Sequence, residues 1–141
     1  QKYIKESCIP EIYIGADYNQ TLKAVREAES YNGPSVIIAY SPCINHGIKN
    51  GMSTVQDVEK RAVAAGYWSL FRYDPRLKEQ GKNPFMLDSK APSASYRDFL
   101  MSEVRYNALT RSFPDRAELL FTEAEEFAMD KYQQLVKLAQ G

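Results

Sequence analysis

The chain has 141 residues, of which 44% are hydrophobic and 26% are charged, a composition typical of one globular domain rather than a disordered segment. Eighteen basic and eighteen acidic residues give a net charge of zero, so electrostatics provide no reason to expect nucleic acid or an anionic membrane as a partner. No apolar run approaches the roughly 18 residues of a membrane span. The first residues also lack signal-peptide organisation, and we therefore expect a cytoplasmic protein. The sequence begins at Gln1 rather than at Met, which indicates processing or excision from a longer polypeptide.

A strand–helix–strand unit is predicted over the first 40 residues. Residues 11–16 form the first strand, and Asp17 or Asn19 caps a helix that runs through Tyr31. The stripe predicted to be buried on this helix recurs at three-and-four spacing: Leu22, Val25, Ala28 and Glu29. Residues 35–40 are apolar throughout, as expected for a strand covered on both faces. Two strands joined by one helix in this way are parallel.

Further elements are predicted in the rest of the chain. A helix spans about 54–65 and ends at Gly66; its apolar stripe is Val55, Val58, Ala62 and Ala65, and Glu59, Lys60 and Arg61 are predicted to be in solvent. Residues 68–73 form a third strand, 84–88 a short extended piece, and 96–110 and 115–139 two helices. The last helix either packs on a neighbouring domain or subunit or folds back over its own sheet.

The predicted fold class is therefore α/β, with a small parallel sheet and flanking helices. The whole chain, residues 1–141, is predicted to be a single domain. It consists of an α/β core at about 11–75, a loop region at 76–94 and a helical C-terminal extension at 95–141.

The loop that follows the second predicted strand contains the main candidate for chemistry, Cys43. Residues 41–48 read Ser-Pro-Cys-Ile-Asn-His-Gly-Ile, and open α/β sheets bind their ligands at the carboxyl ends of strands. Cys43 is therefore a ligand of a metal or iron–sulfur cluster, a nucleophile beside His46, or an inert buried residue. The chain contains only one other cysteine, Cys8, and a disulfide between the two remains open. Two thiols and one histidine are too few for a complete tetrahedral site, so a cluster at Cys43 needs ligands from elsewhere.

Two other segments could bind anions. Gly15, Ala16 and Asp17 precede a helix, where backbone amides can hold a phosphate, but no glycine-rich phosphate motif is present and a strand-to-helix turn is favoured. The segment 72–90 contains five basic residues: Arg72, Arg76, Lys78, Lys82 and Lys90. They either contact an anionic cofactor or an acidic partner surface, or lie in a solvated loop.

Three segments in a fixed order resemble a known family. Residues 33–48 read Gly-Pro-Ser-Val-Ile-Ile-Ala-Tyr and continue into the cysteine loop, 66–75 read Gly-Tyr-Trp-Ser-Leu-Phe-Arg-Tyr-Asp-Pro, and 81–92 read Gly-Lys-Asn-Pro-Phe-Met-Leu-Asp-Ser-Lys-Ala-Pro. With these segments, the chain from about residue 12 to its end resembles the C-terminal part of the thiamin-diphosphate-binding domain of pyruvate:ferredoxin (flavodoxin) oxidoreductases. The first ten residues match less well.

The resemblance implies a large homodimeric enzyme that converts pyruvate and coenzyme A to acetyl-CoA and carbon dioxide. Its cofactors are thiamin diphosphate with Mg and three four-iron four-sulfur clusters, and its electrons pass to ferredoxin or flavodoxin. The resemblance also implies that Cys43 is the fourth ligand of the cluster nearest the thiamin, with the other three ligands upstream. We expect the backbone amides of Ile44 and Asn45 to lie near the cluster sulfurs.

The sequence departs from the family in what it lacks. It contains neither the Gly-Asp-Gly and Asn motif that binds magnesium and diphosphate nor three of the four cluster cysteines. We therefore expect a fragment that does not turn over pyruvate alone, binds no iron as isolated, and depends on the remaining domains of a parent chain. The alternatives are a free-standing binding or docking module with an unligated Cys43, and a cysteine hydrolase.

Overall fold

A four-stranded sheet organises the chain, and the computed structural model describes residues 7–42 and 51–141. The strands are β1 (Ile9–Ile12), β2 (Ile38–Ala39), β3 (Phe71–Tyr73) and β4 (Phe85–Leu87), in the spatial order β2-β1-β3-β4. The predicted α/β class is confirmed, and β1 and β2 are parallel as predicted.

The sheet is mixed rather than wholly parallel, because β3 pairs antiparallel with both β1 and β4. Only the short segment 74–84 separates β3 from β4. Antiparallel strands can be joined by such a connection, whereas parallel strands need a long crossover. The predicted loop region 76–94 therefore contributes an edge strand.

The helices are α1 (Tyr18–Ser30), α2 (Val55–Ala64), α3 (Arg76–Glu79), α4 (Tyr96–Ser102), α5 (Val104–Ser112) and α6 (Pro114–Gln140), with a 3₁₀ turn at Met52–Thr54. The predicted single helix over 96–110 is wrong, because Glu103 adopts an extended conformation (φ −83°, ψ 127°) between α4 and α5. Pro114 lies in the first turn of α6, where the missing N–H has no partner to lose. Among the described helices, none combines the length and apolarity needed to cross a membrane.

Helix α1 begins as predicted but buries a different face. The Asp17 side chain accepts a hydrogen bond from the Gln20 amide at 2.9 Å. The residues buried against the sheet are Gln20, Thr21, Ala24 and Ala28. The predicted buried stripe is wrong for its larger members, since Leu22 is 36% and Val25 is 39% exposed. Three of these four residues, Thr21, Ala24 and Ala28, have small side chains.

The main core lies where α2 meets α4 and α6. Its buried members are Tyr13, Val58, Ala62, Ala65, Leu70, Phe99, Leu100, Ala117 and Phe121. The predicted stripe of α2 is confirmed at three of its four positions, and Gly66 adopts the positive φ (75°) that ends this helix. Glu59 was predicted to be in solvent, but it is buried.

The two edges of the sheet differ. Edge strand β4 is half-buried and contacts α6, and the Asn83 side-chain amide donates to the Leu138 carbonyl at 2.7 Å. Helix α6 therefore folds back over its own sheet. At the other edge, Val36, Ile37 and Ile38 are 51%, 41% and 42% exposed. The prediction that this strand is covered on both faces is wrong for the chain as described.

Candidate functional site

The loop that carries the predicted site residues begins at the carboxyl ends of the parallel strands β1 and β2. Cys43, Ile44 and Asn45 lie outside the described residues, as does His46, so their predicted roles stay predictions. The described start of the loop is Tyr40, exposed Ser41 and buried Pro42. The geometry of the site is therefore given by the residues that hold this start in place.

Tyr40 is anchored by both its backbone and its ring. Its N–H donates to the Ile12 carbonyl at 3.3 Å. Its ring lies 4.9 Å from Tyr13 at 90°, 4.9 Å from Trp68 at 31°, and 5.8 Å from Tyr67. Ring pairs of this kind contribute about 0.5–1.5 kcal/mol each beyond their buried area. The position three residues before Cys43 is therefore rigidly placed.

Trp68 ties the carboxyl end of β1 to the last helix. Its indole N–H donates to the Ile12 carbonyl at 3.3 Å, and the Lys131 ammonium lies 5.6 Å from its ring. Lys131 is also 4.0 Å from the buried Glu11 carboxylate. Burial raises the pKa of Glu11, and the nearby ammonium partly offsets that rise.

A hydrogen-bonded group of phenols extends from Tyr40 toward α5. The hydroxyls of Tyr67 and Tyr106 are 2.9 Å apart, and Arg105 donates to the Tyr106 hydroxyl at 3.2 Å. The Tyr67 ring packs on Phe99 at 4.9 Å. Burial raises the pKa of Tyr40, Tyr67 and Tyr106 above the ordinary phenol value, so these hydroxyls are neutral at physiological pH. We call these connected rings the aromatic cluster: Tyr13, Tyr40, Tyr67, Trp68, Tyr96, Phe99 and Tyr106.

Tyr13 has an unusual position within the aromatic cluster. It is fully buried, and its hydroxyl has no hydrogen-bond partner among the described residues. Burial raises its pKa far above the ordinary value, and the proximity of Tyr40, Glu59 and Glu103 raises it further. Burial also raises the pKa of both carboxyls. The aromatic cluster therefore contains one neutral hydroxyl, that of Tyr13, which donates no hydrogen bond to a described residue. Its environment disfavours negative charge.

The turn between β1 and α1 is filled by a side chain of the protein. The Glu59 carboxylate accepts a hydrogen bond from the Gly15 amide, and a Cβ at Gly15 would lie 1.8 Å from Glu59 Oε2. A phosphate would compete with this carboxylate for the same amide. The interpretation as a strand-to-helix turn is therefore confirmed.

Two of the five basic residues in 72–90 form internal ion pairs. The Arg72 guanidinium, 7% exposed, binds Glu27 at 2.6 Å and Asp88 at 2.7 Å. Arg76 binds Asp74 at 2.7 Å and holds the pKa of that carboxyl below its usual range. Sequence patterns missed the pairs of Arg72, since Asp88 and Glu27 are 16 and 45 positions away in the chain. Arg72 and Arg76 therefore stabilise the fold. They neither bind an external anion nor lie in a fully solvated loop, the two roles that the sequence left open.

Cys8 is a buried free thiol, so the disulfide with Cys43 that the sequence left open is absent. Burial, with a smaller contribution from Asp74, raises its pKa, which makes it a poor nucleophile and a poor ligand. Residues 7–42 and 51–141 contain no group of three or more His, Cys, Asp or Glu side chains that could hold a metal ion. The described residues therefore do not form a complete cluster site.

Comparisons with known proteins show which proteins this chain resembles. No family model matches the chain. Pyruvate:ferredoxin oxidoreductase of Moorella thermoacetica is 53% identical over 133 residues, which is 94% of this chain and 11% of the relative. The chain corresponds to one region of these oxidoreductases. Pyruvate-flavodoxin oxidoreductase of Enterobacter agglomerans is 51% identical over 131 residues, covering 93% of this chain and again 11% of the relative.

A third relative is longer still. Mitochondrial pyruvate dehydrogenase [NADP(+)] of Euglena gracilis is 40% identical over 122 residues, covering 86% of this chain and 7% of that protein. The family resemblance predicted from three sequence segments is confirmed. The chain spans about one ninth of the pyruvate:ferredoxin and pyruvate-flavodoxin oxidoreductases that it matches.

Proposed function

We propose that this chain is the C-terminal part of the thiamin-diphosphate-binding domain of a cytoplasmic pyruvate:ferredoxin or pyruvate:flavodoxin oxidoreductase. The observation that carries the proposal is 53% identity over 133 residues to a relative of which the chain covers 11%. The parent would convert pyruvate and coenzyme A to acetyl-CoA and carbon dioxide. Thiamin diphosphate with Mg supplies the carbon–carbon bond cleavage when bound, and four-iron four-sulfur clusters accept the electrons.

Cys43 is the residue of this chain that we assign to the cluster nearest the thiamin. Two observations support the assignment. The start of its loop is anchored at the carboxyl ends of β1 and β2 through Tyr40, and rigid attachment keeps the distance between electron donor and acceptor constant. The other cysteine, Cys8, is buried with a raised pKa. Ile44 and Asn45 would direct their amides toward the cluster sulfurs and tune its potential.

The isolated chain should be inactive, because its sequence lacks the Gly-Asp-Gly motif and the remaining cluster cysteines. Its partners are then the remaining domains of the parent, which binds pyruvate and coenzyme A, passes electrons to ferredoxin or flavodoxin, and is a homodimer. The large remainder of the matched relatives supports this dependence.

The test of the Cys43 assignment is Cys43→Ser in the full-length parent, with Cys8→Ser as the matched control. Cys43→Ser should abolish or alter the signal of the cluster nearest the thiamin in low-temperature paramagnetic resonance while thiamin diphosphate still binds. Cys8→Ser should leave that signal unchanged, since Cys8 is buried and pairs with Ser35, five residues before Tyr40. An unchanged spectrum for Cys43→Ser would exclude Cys43 as a ligand.

Two measurements separate the rival functions. A complete reading frame that encodes further cysteines and a Gly-Asp-Gly motif distinguishes the parent enzyme from a free-standing docking module. Rapid alkylation of Cys43 below pH 7 would instead indicate a catalytic thiolate and a cysteine hydrolase.

A further inference from the structure

The backbone at the open edge of the sheet is arranged to pair with another strand. Among the described strands, β2 lies at the end of the strand order and has β1 as its single partner. On the β1 side, the amides of Val36 and Tyr40 donate to Cys8 and Ile12 at 2.9 and 3.3 Å. Because backbone groups alternate in direction along a strand, the N–H and C=O groups of Ile37 and Ala39 point to the open edge.

Residues 35–40, which comprise β2 and the residues on either side of it, have the side chains of an interior strand. Val36 and Ile38 lie on one face and Ile37 on the other, and all three are more than 40% exposed. Residues 35–40 contain no charge and no proline. Natural edge strands are protected by charges, prolines or bulges. An uncharged run that is apolar on both faces is typical of a strand inside a parallel sheet.

Helix α1 also carries an exposed apolar stripe. Tyr18, Leu22 and Val25 recur at spacings of four and three, and all are exposed. On the other flank of the helix, Glu27 binds Arg72 of β3. Val25 lies two residues before Glu27 and therefore about 160° away around the helix.

The strand order shows which part of this stripe lies toward β2. Strands β3 and β2 lie on opposite sides of β1, so Val25, opposite Glu27, lies on the β2 flank of α1, whereas Leu22 lines a groove with Lys23, Arg26 and Glu27. Val25 and the three exposed residues of the edge segment make up what we call the β2 surface: Val25, Val36, Ile37 and Ile38.

We propose that the β2 surface is the docking site for a further parallel, apolar β-strand and a helix that packs beside α1, both from the part of the parent polypeptide outside these 141 residues. The inference rests on the proposed function, because the parent supplies the occupant. The relatives contain a large remainder beyond the matched region, of which this chain covers only 11%. Docking places the start of the Cys43 loop between two parallel strands, inside the sheet rather than at its margin. Open α/β sheets bind ligands in such a position, at the carboxyl ends of neighbouring strands.

The test is amide hydrogen exchange on the chain alone and on the polypeptide encoded by its complete natural reading frame. In the chain alone, Val36, Ile38 and Tyr40 should exchange slowly, and Ile37 and Ala39 rapidly. In the full-length polypeptide, the Ile37 and Ala39 amides should slow by on the order of a hundredfold, because a new strand now accepts their hydrogen bonds.

Ile38→Lys and the matched control Ile38→Val sharpen the test. In the 141-residue chain, circular dichroism should show that both variants fold, since the side chain is exposed there. In the full-length polypeptide, Ile38→Lys should remove the protection of Ile37 and Ala39 and speed proteolysis between 35 and 40. Ile38→Val, which keeps an apolar β-branched side chain, should leave both unchanged.

Three results would overturn the inference, for distinguishable reasons. Rapid exchange of Ile37 and Ala39 in a longer full-length polypeptide would refute the docking site and leave the proposed function standing. Slow exchange in the chain alone, with a concentration-dependent dimer in sedimentation, would assign the surface to a second copy. A reading frame that ends at these boundaries would remove the proposed function and the occupant together.

Discussion

The two edges of the sheet differ in whether another part of the described chain covers them. At the β4 edge, the chain continues for another 54 residues after Leu87 and returns as α6, which covers the strand. At the β2 edge, Val36, Ile37 and Ile38 remain exposed. Both strands are apolar, so their sequences alone do not distinguish them. The difference is that α6 covers β4, whereas no described element covers β2.

The largest loss of stability is expected when a buried side chain of α6, the helix that covers β4, is truncated. Phe121 is 3% exposed, and Phe127, on the same helix, is 71% exposed. Phe121→Ala should lower the free energy of unfolding by about 3–5 kcal/mol, because it removes buried apolar area and leaves a cavity. The matched control Phe127→Ala should change it by less than about 0.5 kcal/mol. Urea denaturation measures both, and equal effects would contradict the assignment of α6 as the cover.

A comparable but smaller loss is expected at the ion network that joins α1 to β3. Arg72→Ala should cost about 3 kcal/mol, since it leaves the carboxylates of Glu27 and Asp88 without their buried partner. Arg97→Ala is the matched control, because Arg97 pairs with Glu118, a largely exposed carboxylate, and should cost about 1 kcal/mol or less. Denaturation midpoints at low and high salt provide a second check. The control should depend on salt more strongly, and the reverse order would argue against the network.

Lysine substitutions compare the two edges directly. Leu87→Lys in β4 should destabilise the 141-residue chain by about 2 kcal/mol, because the side chain is half-buried there. Ile38→Lys in β2 should change the stability of the same chain by less than about 0.5 kcal/mol. Thermal unfolding of the two variants measures the difference. A large loss for Ile38→Lys would show that the β2 edge is already covered.

The smallest expected effect is on the pH dependence of stability. Burial raises the pKa of Glu11, Glu59 and Glu103 above the ordinary value of 4.5, so their protonated forms are favoured in the fold. Their stabilising contribution is full below pH 4.5 and is lost as the pH rises through the raised values. Asp74 acts in the opposite sense. Arg76 lowers its pKa below 3.8, and its contribution is present above that value and lost as the pH falls through the lowered one.

Glu59→Gln isolates one member of this set. The amide oxygen can still accept the Gly15 hydrogen bond, but no charge has to be buried. The variant should therefore be more stable than the unsubstituted chain at pH 7, and its stability should decline less steeply as the pH rises above 4.5 in urea denaturation. An unchanged slope would mean that the Glu59 carboxylate is solvated, as the sequence predicted.

Local patterns predicted some features of the fold well. The Asp17 cap, the end of α2 at Gly66 and the parallel pairing of β1 with β2 depend on contacts near in sequence or on the short βαβ connection. The burial of Glu59 and the break at Glu103 were not predictable. Glu59 is buried because its carboxylate meets the Gly15 amide, 44 positions away in the chain. The candidate site was recognised from the residues around Cys43, but sequence spacing did not show that Tyr40 packs on Tyr13 and Trp68.

The sequence by itself determined the α/β class, the helical periodicities and the family resemblance, because each depends on residue types at short, fixed spacings. Only the tertiary structure decided which face of α1 is buried, that the sheet is mixed, and that Arg72 joins two distant carboxylates. The physical reason is that periodicity identifies an apolar stripe but not the surface against which it packs. On α1 the stripe of Tyr18, Leu22 and Val25 remains exposed, because β1 contacts the face with the smaller side chains.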